Sequence, residues 1–419
     1  MHKFTKHFML LESEKNNIIG NKYQGTFVKI SKECYQILKE LLKNECSEEE
    51  FVDIFESEED KVYFLKLYEI LQAKKILVDI EDKEYIKDVD IQWELTNECN
   101  LSCIHCIASA EKPKAKAYDY DYMLKVADQI IELSPNSLTI SGGEPMILPF
   151  FFELSEYIKE RYNGLLVLMT NGTFITEKNV DRIAQIYGNV SISVDGVDEE
   201  TCSMIRGEGV FNKVIKSVHL LKNAGVDKIS LSMVLTNENK KYEQEFYDLC
   251  DELKVKACVR VFAPVGRGKK HKELFVSSKP EVTQDNYIPE DVLLKKKNNQ
   301  PIEEFGVCGA EFGSFTIGFE GDIFLCAPFE YEGKSLGKID DIGNLNQFIK
   351  LEKFKETQAY KDFEKTLPAN KEKCRECDVR YFCWHCPFMN EQALMNDKGY
   401  WIDCEKKKRD LKFSLWGEQ

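Results

Sequence analysis

Three cysteines stand close together in the run Cys-Asn-Leu-Ser-Cys-Ile-His-Cys, as Cys99, Cys103 and Cys106. Three residues fill the first gap and two the second. Thiolates at this density hold metal, and they suit an iron–sulfur cluster, which normally takes four cysteine ligands. A cubane with three protein ligands keeps one iron open for a substrate or cofactor. Further groups with chemical capacity come later in the chain: Ser141-Gly142-Gly143-Glu144-Pro145, Thr170-Asn171-Gly172 and Ser193-Val194-Asp195-Gly196. Adjacent glycines let a backbone approach a ligand, and Glu144 can accept hydrogen bonds from an amine. Each segment taken alone is also an ordinary strand-to-helix turn. A second cysteine group lies at Cys308, Cys326, Cys374, Cys377, Cys383, Cys386 and Cys404.

The chain has 419 residues, 15 of them cysteine. That length calls for two or three domains. Its net charge of −15 argues against a nucleic-acid binder or a binder of anionic membranes, both of which need a basic face. No apolar run reaches membrane-span length, and the N-terminal residues lead into no signal-peptide apolar region, so a cytoplasmic protein is expected. Thiols stay reduced there, which makes metal binding a better account of the cysteines than disulfides.

The elements that must position these groups can be read from periodicity. Residues 89–270 alternate strands (Val89–Leu95, Leu138–Ser141, Leu165–Thr170, Val190–Val194, Ile229–Leu235, Ala257–Phe262) with helices such as Asp121–Leu133, Phe211–Asn223 and Tyr242–Leu253. Such alternation predicts an α/β fold with a parallel sheet, open or barrel-like, and a site at the C-terminal strand ends. The cysteine triad comes directly after the first strand, and the other three segments come after the second, third and fourth.

Residues 1–88 form a separate, winged-helix-like unit. Its strands are Phe8–Leu11 and Gly25–Ile30, with a turn at Asn21. A helix over Glu33–Asn44 is capped by Ser31, a helix over Ser47–Phe55 starts with a Ser47/Glu50 capping box, and a longer helix runs over Glu59–Lys74. In the last, Val62, Leu65, Leu67, Ile70 and Leu71 are the apolar positions. Residues 271–304 read as a linker, and the cysteine-rich stretch 305–419 as a third domain.

The middle region resembles the radical S-adenosylmethionine superfamily. The spacing of Cys99, Cys103 and Cys106 is that of its [4Fe-4S] cluster motif, and Gly142-Gly143-Glu144-Pro145 matches the segment that contacts the methionine amino group. The resemblance implies a partial (β/α)6 TIM-like barrel. It also implies that Ser193 contacts the ribose or carboxylate of S-adenosylmethionine, with Arg206 a bidentate partner of the carboxylate. A surface ion pair is the competing reading of Arg206. His105 takes the family's aromatic position beside the third cysteine, as a stacking or packing residue and not an iron ligand. The chemistry implied is one-electron cleavage of S-adenosylmethionine to a 5′-deoxyadenosyl radical that abstracts a substrate hydrogen, with the protein supplying position and exclusion.

The C-terminal cysteines resemble the SPASM extension, which carries auxiliary clusters in peptide-modifying radical enzymes. The match implies one cluster on Cys374, Cys377, Cys383 and Cys404, and another on Cys308, Cys326 and Cys386. The total expected is three [4Fe-4S] clusters. The gap between Cys383 and Cys386 holds two residues where the family often has three. Ser314 lies where some relatives place a further cysteine, which would leave an open iron, or one bound by a residue such as Cys258. A tetrahedral zinc site on Cys374, Cys377, Cys383 and Cys386 is the alternative. Cys34, Cys46, Cys202, Cys250 and Cys258 remain, with core packing as their default role.

The N-terminal unit is too acidic for DNA, with Glu48, Glu49, Glu50, Glu56, Glu58, Glu59 and Asp60 among its residues. It resembles the peptide-recognition element of ribosomal peptide maturation pathways, which takes a leader peptide as an added strand; a packing domain without a ligand is the plainer reading. The whole points to a maturase that installs a crosslink in a ribosomally made precursor peptide, a cysteine thioether with a carbon–carbon bond as the alternative, fed electrons by a ferredoxin or flavodoxin. Rival readings are a sulfatase-maturase-like Ser/Cys dehydrogenase and a non-catalytic iron–sulfur or zinc regulator on DNA. Asp195 and Glu144 are the nearby carboxylates, and neither is assigned as a general base.

Overall fold

The computed structural model describes residues 2–43, 55–81, 89–112, 119–271, 308–367, 370–383, 386–388 and 397–416. The chain divides into two compact units, one of Met1–Lys87, Val282–Phe312 and Asp362–Gln419, the other of Asp88–Glu281 and Gly313–Lys361.

The first unit holds strands β1 (His2–Phe4), β2 (Phe8–Glu12), β3 (Asn16–Asn21) and β4 (Thr26–Ser31), helices α1 (Lys32–Lys43) and α2 (Glu58–Ala73), and β5 (Leu77–Asp79). β2, β3 and β4 make an antiparallel sheet with β3 central, and β1 pairs with β5. Strand β3 is an addition to the two strands expected. Its Asn16-Asn17-Ile18-Ile19-Gly20-Asn21 composition is poor in strand formers, yet Ile18 and Ile19 are fully buried on opposite faces. Asn21 ends that strand and also holds the next turn, its Oδ1 accepting from the Tyr23 and Gln24 amides.

Ile19 packs with Leu38 of α1 and with Phe64, Leu67, Tyr68 and Leu71 of α2. Ile18, with Met9 and Leu11, packs on Val379, Phe382, Leu411, Leu415 and Trp416. Ser31 caps α1 through the Cys34 amide, as expected, and Ser57 caps α2. The buried stripe of α2 differs from the one expected. Phe64, Leu67, Tyr68 and Leu71 face the core at helical spacing, and Val62, Leu65 and Ile70 are exposed with Tyr63. The Ser47–Phe55 helix and its capping box lie outside the described residues, Phe55 excepted.

The second unit is built on β6 (Asp90–Glu94), β7 (Ser137–Ser141), β8 (Leu165–Thr170), β9 (Asn189–Ser193), β10 (Lys228–Leu235) and β11 (Lys256–Val261). Helices α3 (Tyr120–Leu133), α4 (Phe151–Arg161), α5 (Val180–Ile186), α6 (Glu199–Arg206), α7 (Val210–Asn223) and α8 (Glu243–Leu253) intervene. The strands are parallel and lie in chain order, the arrangement of the expected partial barrel.

Strand alternation gives this sheet two unlike faces. Ile91, Trp93, Leu138, Ile140, Leu168, Val190, Ile192 and Leu231 are buried on the apolar face. The opposite face carries Gln92, Glu94, Thr139, Ser141, Met169, Ser191, Ser193, Ser230 and Ser232. Burying so many large apolar side chains on one face is what fixes strand register and leaves the other face polar.

Beyond β6 the sheet continues through β12 (Ser314–Ile317), β13 (Asp322–Phe324) and β14 (Gly337–Lys338), with β12 parallel to β6. The expected single domain over 305–419 is therefore divided. Residues 313–361 extend the barrel sheet because β12 finds the free edge of β6, and 362–419 belong to the first unit. Among the described residues, no helix is long and apolar enough to cross a membrane.

Candidate active site

The cysteine loop leaves the C-terminal end of β6 and is tied down by the segments that emerge from four other strands. After β7, the Gly143 amide donates to the Thr96 carbonyl at 2.7 Å and the Glu144 amide to that of Glu98 at 2.9 Å. The two glycines make this approach possible. A Cβ on Gly142, whose φ is +134°, would lie 2.5 Å from Thr96 O, and one on Gly143 2.3 Å from Glu98 O. Their close neighbour is thus the backbone that leads into Cys99.

Glu144 is fully buried. Its carboxylate accepts from Thr170 Oγ1 at 2.8 Å, the Asn171 amide at 2.8 Å and the Met146 amide at 3.2 Å. Burial pushes its carboxyl up to about 7, against the pull of those hydrogen bonds. After β8, Asn171 Nδ2 donates to Asn100 Oδ1 at 2.8 Å and lies 3.7 Å from Cys99 Sγ. Asn100 in turn donates to Thr173 Oγ1 at 2.8 Å.

After β9, Asp195 gathers three partners at one fully buried carboxylate. His105 Nε2 is 2.7 Å and Arg206 Nε 2.6 Å from Oδ2, and the Val234 amide donates to Oδ1 at 2.7 Å. Burial by itself would raise this carboxyl, but the Arg206 and His105 charges outweigh it and hold the group well below the carboxylate range. Arg206 is 9% exposed, which removes the surface ion pair as its reading. Its Nη1 lies 3.9 Å from Cys103 Sγ. His105 is buried and committed to Asp195 through Nε2. Ser193 ends β9, opposite Ser232 in register.

Arg267, which the sequence did not single out, closes the ring after β11. Its Nη1 donates to the Cys103 carbonyl at 2.8 Å, its Nη2 to the Ala110 carbonyl, and its amide to the Cys106 carbonyl at 2.9 Å. Gly266, at φ +56°, gives it room, since a Cβ there would meet the Ile107 carbonyl. One signal was available: Gly266-Arg267-Gly268 comes after a strand end, where backbone carbonyls of the neighbouring loop lack partners.

The described cysteines are all free thiols. Cys99 and Cys103 are buried, and Cys106 is partly exposed. Burial, foremost, pushes the Cys99 thiol up to about 11. Three soft donors on a loop with amide N–H and guanidinium groups turned toward sulfur fit a cluster, because those donors offset thiolate charge. In the other unit, burial foremost and then the neighbouring Cys374 and Cys377 push the Cys404 thiol up, and burial with Cys386 beside it pushes the Cys308 thiol up. Cys326 belongs to the barrel unit and precedes the short helix Ala327–Glu330. Among the described residues, no three His, Cys, Asp or Glu side chains converge on a site for a single metal ion.

Residues 93–250 match the Radical SAM superfamily, which makes this region a radical S-adenosylmethionine domain. Among curated proteins the chain is similar to the mycofactocin maturase MftC of Mycolicibacterium smegmatis, with 27% identity over 284 residues that cover 64% of this chain and 71% of that one. The Mycobacterium tuberculosis protein of the same name is 32% identical over 255 residues, covering 57% and 64% of the two chains. Among solved structures, Streptococcus suis SuiB bound to precursor peptide SuiA superposes with a TM-score of 0.53 at 15% identity. It covers 95% of this chain and 98% of that one.

Proposed function

We propose that this enzyme modifies a ribosomally made precursor peptide by installing an intramolecular crosslink. One observation carries the reading: a cysteine loop locked onto the ends of a polar-faced parallel sheet, in a chain similar to the MftC maturases and to SuiB with its bound precursor peptide. Cys99, Cys103 and Cys106 would hold a [4Fe-4S] cluster, and Gly142–Pro145, Ser193, Arg206 and His105 would frame S-adenosylmethionine. When bound, these groups supply a 5′-deoxyadenosyl radical able to take a hydrogen atom from carbon.

The chain's own residues do the positioning. Glu144 and Asn171 fix the Cys99 side of the loop, Asp195 fixes His105 and Arg206, and Arg267 fixes Cys103 and Cys106. Arg206 gives its Nε to Asp195, so its Nη groups are the donors left for a ligand carboxylate. The polar sheet face offers hydroxyl groups to a peptide without binding it rigidly.

In the first unit, the edge strand β4 and the exposed apolar side chains of α2 (Val62, Tyr63, Leu65 and Ile70) suit a leader peptide added as a strand. The acidic first turn of α2 disfavours nucleic acid. Cys374, Cys377, Cys383 and Cys404, and Cys308, Cys326 and Cys386, would carry two auxiliary clusters. A ferredoxin or flavodoxin would supply electrons, and a cytoplasmic setting suits the free thiols.

The test is reconstitution. Purified enzyme loaded with iron and sulfide is given a strong reductant, S-adenosylmethionine and each short peptide found encoded beside its gene. The expected result is a peptide lighter by two hydrogens, with 5′-deoxyadenosine formed alongside it. Loss of one alkylatable cysteine distinguishes a thioether from a carbon–carbon bond. An unchanged peptide mass overturns the proposal.

A further inference from the structure

Arg206 touches both a carboxylate and a cysteine of the triad. Its Nε lies 2.6 Å from Asp195 Oδ2, and its Nη1 donates to Cys103 Sγ at 3.9 Å. The guanidinium is 9% exposed and the carboxylate fully buried. Cys99 is met by neutral donors instead, the Leu101 amide at 3.4 Å and Asn171 Nδ2 at 3.7 Å.

Segments from four places in the chain hold this arrangement. Arg206 is the last residue of α6, and Gly207, at φ +98°, ends the helix directly after it. The Ile205 carbonyl accepts from the Ile104 amide at 3.2 Å, which ties the end of α6 to the backbone between Cys103 and His105. Asp195 follows β9 and is held from the end of β10. There the Val234 amide donates to its Oδ1 at 2.7 Å, and Asn239 Nδ2 to its carbonyl at 3.3 Å. His105 Nε2, 2.7 Å from Oδ2, fixes the carboxylate from the cysteine loop. Arg206 cannot swing away without leaving a fully buried carboxylate short of its cation, which is costly.

Charge beside an iron–sulfur cluster, and N–H groups on its sulfurs, set its reduction potential. Reduction adds a negative charge, so a nearby cation favours the reduced form and a nearby anion opposes it. In a buried site such charges act strongly, because water does not screen them. Asp195 pairs through Nε and not through the Nη1 that faces sulfur. Behind burial, the Arg206 charge bears on the Cys103 thiol more than the Asp195 charge does, and in the opposite sense.

We infer that the Asp195–Arg206 pair sets the reduction potential of the cluster on Cys99, Cys103 and Cys106: Arg206 raises it through Cys103, and Asp195 positions Arg206 and limits the rise. This rests on the cluster assigned to the triad above and not on the identity of the peptide. Asp195 is thus a positioning residue that acts through Arg206. The same guanidinium leaves Nη2 for the ligand carboxylate proposed above.

The test reads no turnover. The full-length enzyme, loaded with iron and sulfide, is titrated with a reductant in the absence of S-adenosylmethionine. The electron paramagnetic resonance signal followed is the one missing from Cys99→Ala. At a fixed solution potential its reduced-to-oxidised ratio should fall about tenfold in Arg206→Gln, which is 59 mV for one electron. The ratio should rise in Asp195→Asn, on the order of threefold. Arg206→Lys keeps the charge without the planar fork and should fall by less than Arg206→Gln. Opposite signs in two variants of one ion pair mark a charge effect; a purely structural pair would lower stability in both and move the potential in neither. An unmoved ratio in either variant, or shifts of the same sign in Arg206→Gln and Asp195→Asn, overturns the inference. If Arg206→Gln takes up no cluster, Asp195→Asn decides: a rise supports the role, and a fall or no shift overturns it. A spectrum unchanged in Cys99→Ala would overturn the cluster assignment itself and the role with it.

Discussion

The loop bearing Cys99, Cys103 and Cys106 and the segment bearing Cys374, Cys377 and Cys383 are held by different forces. The first is fixed by directed polar contacts: the Gly143 and Glu144 amides, Asn171, Asp195 through His105, and Arg267. The second rests mainly on apolar packing, with Val379 and Phe382 set against Met9, Leu11 and Ile18, and with local turns such as the Cys377 amide on the Cys374 carbonyl at 3.1 Å. Directed hydrogen bonds specify geometry, whereas apolar contacts specify proximity. Under the proposed function the first loop would present an open iron to a cofactor, which needs the former, and the second would close around its own cluster, which can set its final geometry.

Chelating iron from the whole enzyme is the strongest way to separate the two regions. Amide exchange over 374–383 should quicken on the order of 100-fold as that segment opens locally, while exchange over 99–106 changes little. Equal loss of protection in both would erase the distinction. Cys99→Ala should abolish S-adenosylmethionine cleavage and lower iron content by about a third if three similar clusters are present, which metal analysis and 5′-deoxyadenosine assay would read.

Smaller effects probe the scaffolds themselves. Trp416→Ala removes a large buried ring from the apolar support of the first unit and should cost about 3–5 kcal/mol. Gly143→Ala forces a methyl against the Glu98 carbonyl and should cost about 1–3 kcal/mol, with S-adenosylmethionine cleavage falling as the loop shifts. Denaturant melts of the two variants would rank the apolar and polar supports.

The finest probe is pH. Glu144 keeps its proton up to about 7 when folded, and its ordinary value is 4.5, so folding takes up a proton between those values. Its contribution to stability therefore falls as pH rises through that window. Glu144→Gln should flatten this slope in melts from pH 4.5 to pH 7. An unchanged slope would mean that Glu144 is less buried than described.

How much could be read beforehand depends on the range over which each signal acts. The six strands and the three helices read in 89–270 emerged within a residue or two because apolar alternation on one face is a local, repeated pattern. Strand β3 did not emerge: its two isoleucines are buried by different partners, α1 and α2 on one side and residues 379–416 on the other. No single window of sequence contains both. The same holds for α2, whose exposed Val62 and Ile70 are as apolar as its buried Leu67 and Leu71. Arg267 left only the faint signal of its flanking glycines, because its partners are carbonyls, which every residue has.

The sequence by itself determined the chemistry that was possible: a cysteine triad at cluster spacing, placed after the first of a series of parallel strands, with a Gly-Gly-Glu-Pro turn after the second. Residue type and spacing are covalent facts and need no fold. Only the tertiary structure decided what each side chain is free to do. It turned Asp195 into a neutralised anchor and brought the Tyr331 hydroxyl onto Glu94, far apart in the chain, at 2.6 Å. The reason is physical. A carboxyl group's charge is set by its surroundings after burial, and those surroundings are assembled from distant segments.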